Sequence, residues 1–319
     1  MKRTVLITGG AGFIGSSLAD KLLNLGSKVI AIDNFNDFYT PEIKYENIKS
    51  AEKSPDFILH KADIEDQNAL DSIFSKYKID CVVHLAARAG VRPSLENPLK
   101  YAQTNILGTL NILECMKKYA VKHLVFASSS SVYGNCKAEK FSEDLIVSQP
   151  ISPYAATKSA DEQFCYTYSK LYNIQTVCLR FFTVYGPRQR PDLAINKFIS
   201  LIEQGKPIDM YGDGSSSRDY TYIDDITDGI IAAINYDLTP YEIINIGGGS
   251  PITLKQMIEN IELLLGKKAQ INQLPMQPGD VERTISDTRK AQSLLNYYPQ
   301  TSFIQGLAKF IDWRKKHAA

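Results

Sequence analysis

The feature that most constrains this 319-residue chain lies at its start. Thr4-Val-Leu-Ile-Thr8 is a short β-branched run, fit for a parallel strand buried on both faces. It passes directly into Gly9-Gly-Ala-Gly12-Phe13-Ile14-Gly15, followed by a helical pattern from Ser16 to Leu25. A glycine loop between a strand and a helix leaves the first N–H groups of that helix aimed at an anion over the loop. Gly9 permits the tight turn, Gly12 lets the backbone approach a pyrophosphate, and Gly15 lets the helix pack close to the strand. The spacing is G-x-x-G-x-x-G, and Phe13 and Ile14 fall inside the phosphate-facing turn. A second strand, Lys28-Val-Ile-Ala-Ile-Asp33, ends in an acid 18 residues beyond Gly15. A carboxylate there accepts from the adenosine ribose hydroxyls and repels a 2′-phosphate. Asn34 follows it rather than an arginine, so the expected cofactor is NAD and not NADP.

Strand and helix then alternate. Phe57–His60, Cys81–His84 and Lys122–Ala127 read as buried strands, Gln67–Tyr77 as a helix, and Pro98–Tyr119 as one long helix containing Asn105 and Gly108. Such alternation implies parallel strands with right-handed crossovers. The expected fold class is α/β, a Rossmann-type doubly wound parallel sheet with a smaller α+β C-terminal substrate domain. Asp63 and Ile64, just past the third strand, are placed to contact the adenine. The stretch from Asn34 to Ser54, with Phe35, Phe38 and Tyr39, either lies near the ligand or is an insertion. The first domain is expected to span 1–180 with a returning segment at about 225–247; 181–224 and 248–319 form the second.

Charge excludes several classes of function. Lys+Arg number 36 against 35 Asp+Glu, so neither a nucleic-acid footprint nor a membrane-surface stripe is indicated. No apolar run approaches a membrane span. The five cysteines have no CxxC spacing and the four histidines form no ligand cluster, which predicts a reduced, cytoplasmic protein without structural metal.

The chemistry is concentrated in two stretches. Ser128-Ser-Ser-Ser131-Val-Tyr-Gly134 sits at the carboxyl end of a central strand, where doubly wound sheets bind ligands. Next comes Ser152-Pro153-Tyr154-Ala-Ala-Thr-Lys158, with Ser152 as N-cap and Pro153 in the first turn. Tyr154 and Lys158, four apart, share one helical face. An ammonium beside a phenol lowers a pKa that starts at about 10, which predicts Tyr154 as a proton acceptor for a sugar hydroxyl.

These motifs carry a resemblance to the extended short-chain dehydrogenase/reductase family, and within it to nucleotide-sugar 4-epimerases. The glycine loop, His84-Leu85-Ala86-Ala87, Asn105-Ile-Leu-Gly-Thr109, the serine run and Tyr154-x3-Lys158 stand in the family's order. Leu179-Arg-Phe-Phe-Thr-Val-Tyr-Gly-Pro187, Arg218-Asp-Tyr-Thr-Tyr-Ile-Asp-Asp225, Asn245-Ile-Gly247 and Pro278-Gly-Asp280 extend it over nearly the whole chain. The resemblance implies a Ser129/Tyr154/Lys158 triad, with Lys158 also on the nicotinamide ribose. It further implies cofactor contacts from Leu85, Ala86, Ala87, Asn105, Ser128 and Phe181. Ser130, Ser131, Phe182, Tyr211 (at the uracil), Arg218 (at the diphosphate) and Arg92 or Arg283 are the implied substrate contacts. Many relatives carry an arginine where this chain has Gln277, and Arg283 or Arg92 would compensate. Family dehydratases carry Asp-Glu where this chain has Ser130-Ser131, which argues against a 4,6-dehydratase. By the same resemblance, helices around Pro98–Tyr119 and Pro153–Tyr172 would pair across a homodimer.

The sugar is read from two positions. Thr183 replaces the Asn that many UDP-glucose 4-epimerases carry, and Arg188 and Arg190 follow on a loop entering the sugar pocket. A guanidinium fork suits a carboxylate. The run looks most like UDP-glucuronate 4-epimerases, with Thr183 and Arg190 at the carboxylate and Arg188 as the alternative anchor. UDP-glucose 4-epimerase, UDP-glucuronate decarboxylase and a non-catalytic NAD-binding regulator are the competing readings.

Overall fold

The computed structural model describes residues 3–276 and 281–317. The first half builds β1 (Thr4–Thr8), α1 (Phe13–Asn24), β2 (Lys28–Asp33), α2 (Pro41–Ile48), β3 (Phe57–Lys61), α3 (Gln67–Lys76) and β4 (Cys81–His84). It continues through α4 (Val91–Glu96), α5 (Pro98–Tyr101), a π-helical segment (Ala102–Leu107), α6 (Gly108–Lys118), β5 (His123–Ser129), α7 (Pro153–Tyr172) and β6 (Gln175–Phe181). The second half contributes β7 (Thr183–Tyr185), α8 (Ala194–Glu203), β8 (Ile208–Tyr211), β9 (Ser217–Tyr222), α9 (Ile223–Ile234) and β10 (Tyr241–Ile246). β11 (Pro251–Thr253), α10 (Leu254–Leu265), β12 (Ile271–Leu274), α11 (Arg289–Leu295) and α12 (Phe303–His317) complete it.

Among the described residues, seven strands form a parallel sheet in the order β3-β2-β1-β4-β5-β6-β10. Side chains alternate across each strand, so Val5 and Ile7 face one core with Leu18, Ile226 and Ile230. Leu6 faces the other with Ile73, Ile112 and Cys165. The strand order reverses between β1 and β4, the switch point at which such sheets receive ligands. β10 joins this sheet from late in the chain, pairing with β6 from Tyr241↔Thr176 to Ile246↔Phe181.

A third core gathers Tyr185, Ile199, Met257, Leu307 and Phe310 around the small sheets β11-β9-β7 and β12-β8. The expected long helix Pro98–Tyr119 runs without a break through α5, the π segment and α6, with helical backbone at both junctions. The π turn widens the helix where Asn105 turns its amide toward neighbouring elements, a common setting for such bulges.

Candidate active site

The carboxyl ends of β1, β4, β5 and β6 open into one cavity of about 360 Å³. Gly9, Gly12, Phe13, Ile14 and Gly15 form its floor; Asp33, Asn34, Asp63 and Ile64 line one end, and Leu85, Ala86 and Ala87 line the side. Gly12 is the N-cap of α1 and no side chain caps that helix, so its first N–H groups face the cavity. The glycines are sterically required. Gly9 sits at φ +69°, and a Cβ on Gly15 would fall 2.2 Å from Gly9 O. An uncapped helix start over a glycine cradle fits a dinucleotide pyrophosphate.

Asp33 accepts from Ala11 N at 3.2 Å and Phe35 N at 2.9 Å, which fixes the carboxylate at the tip of β2. The buried Lys44 of α2 reaches Asp33 Oδ1 at 3.0 Å and lies 5.3 Å from the Tyr39 ring centroid. Asn36, Phe38, Tyr39 and Lys44 all line the cavity, so the Asn34–Ser54 stretch is a wall of the site and not a remote insertion. The available signal was the aromatic cluster immediately after the acid; the Lys44 contact carried none. Asn34 Nδ2 donates to Asp63 Oδ2 at 2.7 Å, tying the ends of β2 and β3 together.

Asn105 does not line this cavity. Its Oδ1 accepts from Arg88 N at 2.8 Å, and its Nδ2 donates to Arg88 O at 3.1 Å and to Thr157 Oγ1 at 2.9 Å. It therefore clamps the loop after β4 onto α7.

Tyr154 and Lys158 enter from α7, whose N-cap Ser152 accepts from Ala155 N at 3.1 Å with Pro153 in the first turn. Both line the cavity with Ser128, Ser129 and Phe181. Burial raises the Tyr154 phenol above its ordinary value, opposed by a hydrogen bond with Ser129 and by the Arg190 charge, while Asp161 adds to the rise. This corrects the expectation that Lys158 lowers the phenol: burial outweighs the groups that draw it down, and those are Ser129 and Arg190. The Lys158 ammonium lies 4.0 Å from Asp161 Oδ2 and 4.5 Å from the Phe126 ring centroid, and burial lowers its own pKa.

The serines divide in role. Ser128 Oγ donates to Glu162 Oε1 at 2.5 Å, and Glu162 is paired bidentately with the buried Arg180 at 2.9 and 2.8 Å. Ser129 Oγ donates to Ser131 Oγ at 3.1 Å and accepts from Ser131 N at 3.1 Å, which turns the chain into a 3₁₀ segment, Ser130–Tyr133. Ser130 and Ser131 stand behind Ser129 and outside the cavity lining.

Phe182, Thr183 and Arg190 line the cavity beside Tyr154. Arg190 is paired bidentately with Asp192 at 3.0 and 2.7 Å, and its guanidinium lies 4.9 Å from the Phe38 ring centroid. Arg188 points the other way. It donates to Asp20 of α1 at 2.6 Å and sits at φ +67°, pinning the loop and taking no part in the cavity wall.

The remaining residues expected at the substrate lie outside this cavity. Arg92 of α4 and Tyr211 of β8 are brought together, guanidinium 4.8 Å from the ring centroid. Arg218 Nη1 donates to Ser217 O at 3.0 Å. A bridge pairs Arg283 with Ser217, the residue before Arg218, and Arg283 also donates to Glu139 O. Gln277 and Pro278-Gly-Asp280 lie outside the described residues. Among the described residues no group of three or more His, Cys, Asp or Glu is placed to hold a metal ion, and no helix is long and apolar enough to cross a membrane.

The profile of a family described as GDP-mannose 4,6 dehydratase matches residues 6–310. The chain belongs to this family of extended short-chain dehydrogenases/reductases. It is 48% identical over 313 residues to a UDP-glucuronate 4-epimerase of Thermodesulfobacterium geofontis, covering 98% of this chain and 96% of the relative. A crystal structure of UDP-glucuronic acid 4-epimerase from Bacillus cereus, in complex with UDP-glucuronic acid and NAD, superposes with a TM-score of 0.92. That protein is 39% identical, with 98% of this chain and 99% of that one covered. The UDP-glucose 4-epimerase of Thermotoga maritima, solved with UDP-glucose, gives a TM-score of 0.91 at 32% identity over 99% of this chain and 100% of that one.

Proposed function

We propose that this protein interconverts UDP-glucuronate and UDP-galacturonate by NAD-dependent epimerisation at C4. The observation that carries this reading is that Thr183 and Arg190 line the same cavity as Tyr154, with the Arg190 charge acting on that phenol. Similarity to UDP-glucuronate 4-epimerases over almost the whole chain supports it.

The floor of Gly9, Gly12 and Gly15 with the uncapped α1 holds the NAD pyrophosphate, and Asp33 takes the adenosine ribose. NAD, when bound, supplies the hydride acceptor and donor for C4. Tyr154 Oη takes the O4 proton as the 4-keto sugar forms and returns it once the opposite ketone face is presented. Ser129 hydrogen-bonds the reacting oxygen, and Lys158 keeps positive charge beneath the phenolate and on the nicotinamide ribose. Phe181 walls the nicotinamide side and Phe182 the sugar, which together exclude water from the ketone.

The 4-keto form of UDP-glucuronate is a β-keto acid and loses carbon dioxide when its carboxylate bond aligns with the ketone π system. Thr183 and Arg190 hold the carboxylate out of that alignment. Arg92, Tyr211, Arg218 and Arg283 serve the rest of the sugar nucleotide outside this cavity, while Ser130 and Ser131, expected at the sugar, lie behind Ser129, with Ser131 holding its hydroxyl. A neutral sugar is the second reading, favoured by the Arg190–Asp192 pairing that already occupies the guanidinium. Incubating the purified protein separately with UDP-glucuronate and UDP-glucose, and identifying products by mass and chromatography, decides between them. Preference for UDP-glucose overturns the carboxylate reading.

The protein is a cytoplasmic homodimer in this reading. Its free cysteines support the compartment, and the exposed Leu107, Tyr166 and Leu171 on the π segment and α7 support the pairing. In the same reading 1–180 with about 225–247 forms the cofactor side, and 181–224 with 248–319 the substrate side.

A further inference from the structure

Behind the cavity, one turn of α7 beyond Lys158, lies a carboxylate for which the proposed chemistry has given no use. Asp161 is fully buried, and neither of its oxygens has a hydrogen-bond partner. Burying an ionised carboxylate without hydrogen bonds is strongly unfavourable unless an opposite charge stands by it. The nearest opposite charge is Lys158 Nζ, 4.0 Å from Asp161 Oδ2, itself buried against the Phe126 ring.

We propose that Asp161 is a positioning residue for the epimerase reaction: its carboxylate keeps the Lys158 ammonium charged and seated at the cavity wall. The argument rests on the proposed function for what Lys158 does, but the pairing itself is read from geometry. The surrounding groups leave Asp161 as the counter-charge. Glu162, the other acid on this stretch of α7, is committed to Arg180 of β6 and to Ser128 of β5. Cys165 of α7 and Cys178 of β6 are buried thiols, and burial holds Cys165 well above its ordinary value, in the neutral form. His84 of β4 is bonded by Thr8 on one nitrogen and Thr109 on the other, and burial with the Lys158 charge pushes it down to about 3, so it is neutral. Tyr154 adds no charge until it gives up its proton. Burial lowers the Lys158 pKa, and Asp161 is the largest influence that raises it. The pull is mutual. Burial lifts the Asp161 carboxyl to about 7; Lys158 opposes the rise, as does the Thr109 hydroxyl, which is bonded to His84 and lies outside hydrogen-bonding geometry with the carboxylate.

The test compares the native enzyme with Asp161→Asn, which removes charge at constant shape, and Asp161→Glu, which keeps it. Two readouts are taken across pH: kcat and KM for UDP-glucuronate, and NADH affinity by fluorescence titration. An opposite charge at this range moves a pKa by about 1–3 units. The alkaline limb of both kcat and NADH affinity should therefore fall by about 1–3 pH units in Asp161→Asn, and stay near its native position in Asp161→Glu. KM for the sugar nucleotide at neutral pH should change less than kcat. Asp161→Ser, neutral and smaller, must show the same displacement, and serves if the Asn variant folds poorly. Alkaline limbs that coincide in the native and neutral variants overturn the proposal, even with activity uniformly reduced. If the limb of NADH affinity moves while UDP-glucuronate is not epimerised, the assignment to Asp161 stands and the sugar reading falls.

Discussion

Replacing Arg190 with alanine separates the acid-sugar reading from its rivals. The guanidinium is one-sixth exposed or less, makes two bonds to Asp192 and lies over Phe38. Its loss leaves Asp192 unpaired, but that side chain is 42% exposed, so water takes over at little cost to the fold. Removing a hydrogen bond to a charged group costs about 1.5–3 kcal/mol, or roughly 10–150-fold in kcat/KM at 1.4 kcal/mol per tenfold. UDP-glucuronate should lose that much. UDP-glucose, with no carboxylate to hold, should lose only what Tyr154 loses when the Arg190 charge no longer draws its phenol down, and that loss applies to both sugars alike. The ratio of kcat/KM for the two sugars thus isolates the carboxylate contact. A freed carboxylate should also release carbon dioxide, visible as UDP-pentose by anion-exchange chromatography and mass. An equal fall for both sugars, with no pentose, refutes the argument and returns Arg190 to a loop anchor like Arg188.

Tyr154→Phe should keep the fold and NADH binding while lowering epimerase turnover by about 10²–10⁴-fold, measured by product appearance. Asp33→Ala frees Lys44 at the adenosine end of the cavity, so NAD should bind more weakly and the preference over NADP should shrink, read by calorimetry with both cofactors. In Asp161→Asn, thermal unfolding should show a pH dependence differing from the native one between about pH 4 and 7. The native carboxyl is held up to about 7 against 3.8 unfolded, so the folded state binds the extra proton. Native stability therefore falls as pH rises through that window, by about 1.4 kcal/mol per unit at most, while the Asn variant is spared that fall. Parallel curves would show that Asp161 carries no such shift.

The cofactor half of the site was legible because its determinants are local. A strand, a glycine loop, a helix start and an acid at the next strand's tip are adjacent in sequence, and one βαβ unit brings them together whatever the rest of the chain does. Ser129, Tyr154 and Lys158 were legible for a related reason, since strand end and helix start both face the switch point of the sheet. Tertiary structure decided what depends on groups far apart in sequence. Lys44 reaches Asp33 only because α2 folds back over the cavity, and Asn105 turned out to brace Arg88 and Thr157 because the π turn redirects its amide. Of two arginines in one short loop, Arg188 met Asp20 of α1 and Arg190 met the cavity. The phenol's charge state was likewise undecided by the Tyr-x3-Lys spacing. Helical spacing places two side chains on one face, but their pKa values depend on burial and on other charges, here Arg190 from a distant loop and Asp161 further along the same helix.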